Sequence, residues 1–235
     1  MVAGATLIGA DYTHAWRRAG VAMLIATAAA ACLLPLDGAV ARLCRGLSIG
    51  GDLKRELEFV QQFGAITSVI IVAVAIALLD PRRRARLWDL GGVVVLNALA
   101  GWVLKVLIGR PRPRFDDPFG FIGPVGTYPL TINGEVVERH SWEVWGGISS
   151  NLWSAPSSHT AAAAALGFAL SFLYPQLRWL MLGLVVVVGA ARVLLLAHYP
   201  ADVALGAGLG YAAACVAMHA RLGSRVAGRL RFISA

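Results

Sequence analysis

Long runs of apolar residues, separated by short polar stretches, dominate this chain of 235 residues. Six of the runs approach the roughly 20 apolar residues that a helix needs to cross the hydrocarbon core of a bilayer. They cover residues 19–36, 59–79, 90–108, 160–177, 179–197 and 203–220. The pattern predicts an all-α fold, a membrane helix bundle with six transmembrane helices, formed by a single domain over residues 1–235.

The connection between the third and fourth runs, about residues 109–156, is much longer than ordinary loops, and loops of that length are usually functional. Within it, Asn133 and Gly134 stand between β-prone residues, a pair that favours a two-residue turn with positive φ at both positions. We therefore expect a small β-hairpin in this outer loop. Three tryptophans follow, namely Trp142, Trp145 and Trp153. They are typical of an aromatic belt at the membrane surface, and a lid over a lipid site is the alternative.

Composition and charge agree with a membrane protein. Hydrophobic residues make up 58% of the chain and charged residues 14%, whereas soluble domains have about 25% charged residues. The net charge of +8 could indicate nucleic-acid binding, but the basic residues flank the apolar runs instead of forming one soluble face. The expected partner is therefore the bilayer and not nucleic acid.

The distribution of Lys and Arg predicts the orientation in the membrane. The two sides carry similar numbers of these residues, but the densest cluster, residues 82–86, lies in a short connection. Short basic connections are where the positive-inside rule is most reliable. We therefore expect both termini in the cytoplasm and the loop at residues 109–156 on the extracytoplasmic side of a bacterial inner (plasma) membrane.

Ionisable side chains at the ends of the apolar runs are the candidates for chemistry, because such groups are costly near a membrane. Three groups occur: Lys105 and Arg112; Ser157, Ser158 and His159; and Arg192, His198 and Asp202. Taken singly, each has an ordinary explanation as an interfacial anchor, a capping turn or a buried ion pair. Together they fall at one membrane face, and cations, a helix N-terminus and two histidines suit a phosphate group.

The spacing of these residues is similar to that in the type 2 phosphatidic acid phosphatase family, whose superfamily also contains the vanadium haloperoxidases. The family motif Lys-x6-Arg-Pro matches residues 105–113, Pro-Ser-Gly-His matches 156–159, and Ser-Arg-x5-His-x3-Asp matches 191–202. The resemblance covers residues 91–206 and points to the integral-membrane lipid phosphatase branch. Two positions depart from the motifs, because Ser158 replaces a Gly and Ala191 replaces a Ser.

The resemblance implies a phosphatase that uses no cofactor and no metal. In that family the equivalent of His198 attacks phosphorus and forms a phosphohistidine. The equivalent of Asp202 orients this histidine, and that of His159 protonates the departing oxygen. The implied phosphate ligands are Lys105, Arg112, Ser157, Ser158 and Arg192. Because the distance from Lys105 selects Arg112, Arg110 is left as an exposed headgroup anchor, at which a change to Lys should be mild.

A site at the membrane surface predicts a lipid phosphate as the substrate. A polyprenyl diphosphate is favoured, since its headgroup lies on the outer face during envelope synthesis, while phosphatidic acid, phosphatidylglycerol phosphate and a lipid A phosphate stay open. Two alternatives use the same residues differently. A vanadium-dependent haloperoxidase would bind vanadate in the pocket, and a transporter or channel would explain the buried charges but not the two histidines. The oligomeric state is not predicted.

Overall fold

The computed structural model describes residues 3–47, 49–144 and 149–226. The α-helices are α1 (Ala3–Leu33), α2 (Asp37–Gly46), α3 (Gly51–Val60), α4 (Ile66–Leu79), α5 (Leu87–Ile108), α6 (Ser149–Leu152), α7 (Ser158–Leu173), α8 (Arg178–Leu194) and α9 (Pro200–His219). Short 3₁₀ segments lie at Leu34–Leu36, Gln61–Gly64, Pro81–Arg86, Pro113–Phe115 and Pro175–Leu177. The two strands are β1 (Thr127–Ile132) and β2 (Glu135–His140). The fold is thus mostly helical, as the apolar runs predict.

Within the described residues, four helical segments are long and apolar enough to cross a membrane. They are Thr13–Gly46, Pro81–Phe115, Pro175–Leu194 and Pro200–His219. A fifth is obtained if α3 and α4, which are bent by 57° at their junction, count as one span. The remaining predicted run forms α7, which is apolar but has only 16 residues.

The prediction of one helix over residues 59–79 is wrong, because α3 ends at Val60 and α4 begins only at Ile66. At the break, Gly64 lies directly against α7, where a Cβ atom would overlap the backbone of His159. This close approach is possible only for a residue without a side chain. The break therefore brings the segment between α3 and α4 to the N-terminus of α7.

Helix α7 is the centre of the bundle and packs against α5, α8 and α9. Its alanines include Ala163, Ala164 and Ala169, all fully buried. On α9, Gly210 faces the backbone of α7 so closely that a Cβ atom would overlap the Ala161 carbonyl. Small residues allow helices to approach in this way where they pack inside a membrane. The close contact fixes the start of α7 relative to the middle of α9.

The outer loop contains the predicted hairpin. Strands β1 and β2 pair antiparallel with Ile132 opposite Glu135. The turn residues Asn133 and Gly134 have φ values of 54° and 87°, as the sequence pair predicts. The hairpin prediction is confirmed.

Two of the three loop tryptophans make hydrogen bonds within the loop. The indole Nε1 of Trp153 donates to the Ser141 carbonyl at 2.7 Å, and that of Trp142 donates to the Pro124 carbonyl at 3.1 Å. Trp145 lies outside the described residues. The two described indoles therefore hold separate segments of the loop together by hydrogen bonds.

Candidate active site

The structure brings the three predicted groups of side chains together. The first follows from the end of α5, the second from the start of α7, and the third from the connection between α8 and α9. Lys105, Arg112 and Arg192 each interact electrostatically with both His159 and His198. The predicted set of two histidines among several cations is thus assembled at one end of the bundle.

The orientation of His198 is fixed by a backbone carbonyl. Its ring is buried, and Nδ1 lies 2.6 Å from the Ser154 carbonyl oxygen. Because a carbonyl oxygen can only accept a hydrogen bond, Nδ1 carries the proton and Nε2 keeps its lone pair. The backbone N–H of His198 donates to the Arg192 carbonyl at 3.2 Å, which ties it to the end of α8. This imidazole is therefore held in the tautomer that a nucleophile at Nε2 needs.

Asp202 is linked to this imidazole by hydrogen bonds through Ser154. Its Oδ2 atom lies 3.9 Å from His198 Nδ1, which is too far for a hydrogen bond. Instead, Asp202 Oδ2 accepts from Ser154 Oγ at 2.5 Å and from the Tyr199 backbone N–H at 2.9 Å. The expectation that Asp202 orients the histidine is thus corrected to an indirect contact. Ser154 is a site residue that the motifs did not single out.

The three cations keep hydrogen-bond donors available for an anion. Lys105 is buried, with Nζ donating to the Trp153 carbonyl at 2.8 Å. The guanidinium of Arg192 donates to the side chain of Gln61, which lies in the break between α3 and α4. Among the described residues, the Nε atoms of Arg112 and Arg192 are buried without a hydrogen-bond partner. Buried donors of this kind are normally satisfied, and a phosphate oxygen would satisfy them.

The start of α7 supplies backbone donors. Ser157 precedes the helix in an extended conformation, and its backbone N–H donates to the Asp202 carbonyl at 3.0 Å. Its hydroxyl lies 3.0 Å from the Thr160 hydroxyl in the buried core. Ser158 is exposed, and His159 is half-buried. The N–H of Ser157 is thus already used within the protein. The first turn of a helix has no acceptor within the helix for its N–H groups, so an anion at this end could accept from those of residues 158–160.

The two departures from the family motifs are accommodated. Ser158 is the first residue of α7 and has ordinary right-handed helical geometry, so the position does not require a glycine. Ala191 is fully buried in α8, next to Arg192. Neither replacement removes an ionisable group from the site.

Electrostatics keep His198 neutral. Burial lowers the pKa of His198 well below its usual value of 6.5, and the nearby positive charges of Arg192, Lys105 and Arg112 lower this pKa further. Both causes disfavour the imidazolium form. The ring is therefore neutral at physiological pH, which is the form that an attack from Nε2 would need.

Arg110 differs most from its predicted place. Gly109, with φ of 57°, ends α5 in the left-handed region and turns the chain back into the protein. The Arg110 side chain is consequently 1% exposed, and its Nη1 donates to Asp202 Oδ1 at 2.6 Å. The prediction of an exposed headgroup anchor is wrong. The spacing of basic residues gave no sign that the turn at Gly109 would bury the side chain.

A cavity of about 500 Å³ leads from the site into the bundle between α4, α5 and α7. Lys105, Trp153 and His159 line one end, and Leu90 and Leu166 line the other. From Lys105 to Leu90 the wall formed by α5 is about 22 Å long, at 1.5 Å per residue. The cavity has the length and apolar lining that a hydrocarbon chain requires.

Comparisons with known proteins agree with the motifs. A family model described as the PAP2 superfamily matches residues 86–225. The curated lipid A 1-phosphatase of Rhizobium johnstonii is 29% identical over 117 residues, which make up 50% of this chain and 40% of that protein. The chain therefore aligns with less than half the length of this relative.

Two solved structures share the fold. Aquifex aeolicus LpxE has a TM-score of 0.55 at 16% identity, covering 78% of this chain and 94% of that chain. The first transmembrane PAP2 type phosphatidylglycerolphosphate phosphatase from Bacillus subtilis has a TM-score of 0.55 at 20% identity, covering 85% and 92%. The family match extends over more than half of the sequence and includes all three motifs. The chain belongs to the PAP2 superfamily, as the resemblance to type 2 phosphatidic acid phosphatases predicts.

Proposed function

We propose that this protein is an integral-membrane lipid phosphatase that hydrolyses a phosphomonoester or diphosphate of a membrane lipid through a phosphohistidine intermediate. The observation that carries the proposal is His198, whose Nδ1 is fixed by the Ser154 carbonyl at 2.6 Å, while the positive charges of Lys105, Arg112 and Arg192 act on the ring. A neutral imidazole with a free Nε2 lone pair beside an anion site is arranged for attack on phosphorus.

In the first step, Nε2 of His198 attacks phosphorus and the bond between phosphorus and the lipid oxygen breaks. His159 donates a proton to that oxygen as it leaves. The incoming phosphate offsets the charges of Lys105, Arg112 and Arg192, which favours the protonated form of His159 that this step requires. The products are a lipid alcohol, or a lipid monophosphate from a diphosphate, and phosphohistidine.

In the second step, water attacks the phosphohistidine. His159, now neutral, accepts a proton from the water, and the bond between phosphorus and Nε2 breaks to restore His198. The cations and the N–H groups at the start of α7 hold the oxygens of the phosphoryl group in both transition states. We propose that these fixed positive charges take the part that metal ions have in other phosphatases, so that the enzyme works without a metal.

The location follows from the same reasoning. Counting the bent α3–α4 pair and the short α7 together with the four long apolar segments gives six crossings. The basic segment Pro81–Arg86 lies at the opposite end of α5 from Lys105 and Arg112. We therefore propose a multi-pass inner-membrane protein with cytoplasmic termini and an active site that faces the extracytoplasmic side.

The cavity supports an acylated lipid as the substrate. Asn97, which lines it, lies eight residues before Lys105, about 12 Å along α5, and its Oδ1 is buried without a hydrogen-bond partner among the described residues. Acylated lipids carry polar ester, amide or hydroxyl groups below the phosphate, whereas a polyprenyl tail carries none. Asn97 thus favours lipids such as phosphatidylglycerol phosphate or a lipid A phosphate over the polyprenyl diphosphate that the sequence favoured.

The test is phosphate release by purified protein from a panel of these lipid phosphates and a polyprenyl diphosphate. Wild type should hydrolyse at least one lipid in EDTA and be inhibited by vanadate, while His198→Ala should be inactive. Asp202→Asn should keep a residual rate, because Ser154 and the cations stay in place. Hydrolysis by His198→Ala would contradict the mechanism. Vanadate-dependent halide oxidation, or no reaction with any lipid phosphate, would favour the haloperoxidase or transporter alternative.

A further inference from the structure

Asp37 and Arg110 form a buried ion pair beside the site that the mechanism above does not use. Asp37, the first residue of α2, is 0% exposed, and Arg110 is 1% exposed. Arg110 Nη2 donates to Asp37 Oδ2 at 2.7 Å while Nη1 donates to Asp202 Oδ1 at 2.6 Å. One guanidinium therefore holds two carboxylates from distant parts of the chain, with no surface left to reach a substrate.

Further contacts extend this pair to the groups that hold the nucleophile. The Arg110 carbonyl accepts from the Ser154 backbone N–H at 2.9 Å, so that Arg110 contacts both Asp202 and Ser154. Asp37 Oδ1 accepts from the Ala201 backbone N–H at 3.1 Å, in the first turn of α9. The Arg110 guanidinium also lies 4.3 Å from the centre of the Tyr199 ring, in cation–π geometry.

Burying three charges is expensive, and an apolar cluster of similar volume is often as stable. What the charged arrangement supplies is a fixed geometry, because the guanidinium fork sets the directions of two hydrogen bonds at once. The chain of contacts runs from Asp37 through Arg110 to Asp202 and Ser154, and the Ser154 carbonyl ends it at His198 Nδ1.

We infer that Asp37 and Arg110 are positioning residues, which hold Asp202 and Ser154 so that Nε2 of His198 stays aimed at the phosphate. The inference rests on the proposed role of His198 as the nucleophile. It assigns α2, which lies outside the three motifs, a part in the catalytic geometry.

The decisive variant is Arg110→Lys, which keeps the charge but replaces the fork with a single ammonium. We expect kcat to fall about tenfold or more, the scale seen when groups that orient metal-bound imidazoles are removed, with KM within about twofold. Arg112→Lys should instead raise KM as well, since Arg112 contacts the phosphate in the proposed mechanism. Arg42→Lys is the matched control, because Arg42 is exposed on α2, and its kinetics should equal those of wild type.

A second variant covers the case in which Arg110→Lys fails to fold. Asp37→Asn keeps every catalytic side chain and the shape of the residue, and it should also lower kcat with KM unchanged. Asp52→Asn, at an exposed carboxylate, is its control. In the double variant the loss in kcat should be no larger than in the more impaired of the two single variants, because both residues act through Asp202 and Ser154.

Thermal unfolding of each variant separates positioning from stability. A purely structural pair would lower the melting temperature and leave kcat per folded molecule unchanged, and that result in either variant would overturn the inference. A rise in KM at constant kcat would also overturn it, since it would mean contact with the substrate. Activity in His198→Ala is a distinct outcome, which contradicts the proposed function itself.

Discussion

At His198, the contact with Ser154 and the surrounding charges govern different properties of one imidazole ring. The carbonyl of Ser154 selects the tautomer, because it can only accept the Nδ1 proton. Burial and the nearby cations select the charge state, because both disfavour the imidazolium. Reactivity at Nε2 requires both this tautomer and the neutral charge state. Because different contacts determine the two properties, a variant can disturb one without the other.

The depressed pKa of His198 can be measured directly. Because burial and the cations both lower this pKa, we expect the ring to remain neutral at pH 6.5 and to titrate only at distinctly lower pH. NMR of histidine-labelled protein would show this as one of five histidine signals, assigned by its loss in His198→Ala. Titration of that signal at or above pH 6.5 would contradict the electrostatic description of the site.

The motif residues could be predicted from the sequence, because spacing along the chain identifies each group. Ser154 and Arg110 could not. Ser154 contacts His198 through its backbone carbonyl, which any residue possesses, and Arg110 is buried only because Gly109 turns the chain inward. Asp37 lies 73 positions from Arg110 along the chain, and no local pattern reports a contact at that separation.

Among the helices, those that match the predicted runs best have no breaks. Hydropathy placed α5, α8 and α9 to within a few residues, since each is one uninterrupted apolar helix. It failed at α3 and α4, because an apolar average does not register the close approach of Gly64 to His159. It also extended α7 beyond Leu173, where Pro175 ends the helix.

The cavity between α4, α5 and α7 makes a prediction about substrate choice. Asn97→Leu removes the amide in its wall while keeping a similar volume, and we expect it to lower kcat/KM several-fold for acylated lipid phosphates. A polyprenyl diphosphate, with no polar group at that depth, serves as the internal control and should be hydrolysed as well as by wild type or better. Equal losses on both kinds of lipid would show that Asn97 has no part in recognition.

For the molecule as a whole, α5 separates the basic segment Pro81–Arg86 from the loop that carries the hairpin. Its 22 residues span about 33 Å, which matches the roughly 30 Å hydrocarbon core of a bilayer. The two ends of α5 should therefore face opposite sides of the membrane.

Accessibility of single cysteines tests this topology. In a variant with Cys32, Cys44 and Cys215 replaced by Ala, we expect Ala85→Cys and Val136→Cys to react with an impermeant thiol reagent from opposite sides. Both positions are exposed. Labelling of both from one side would contradict the assigned topology and the face on which the site lies.

The short helix α4 beside the cavity has a consequence for the surrounding bilayer. It has 14 residues and is only about 21 Å long, less than the hydrocarbon thickness of about 30 Å, and Ile70, Ile71 and Leu78 leave its outer face apolar and exposed. Such hydrophobic mismatch is relieved by local thinning of the bilayer. Thinning beside α4 would draw lipid headgroups down toward the cavity mouth. In the proposed function, the thickness of the host membrane thereby becomes a determinant of how readily a lipid presents its phosphate to His198.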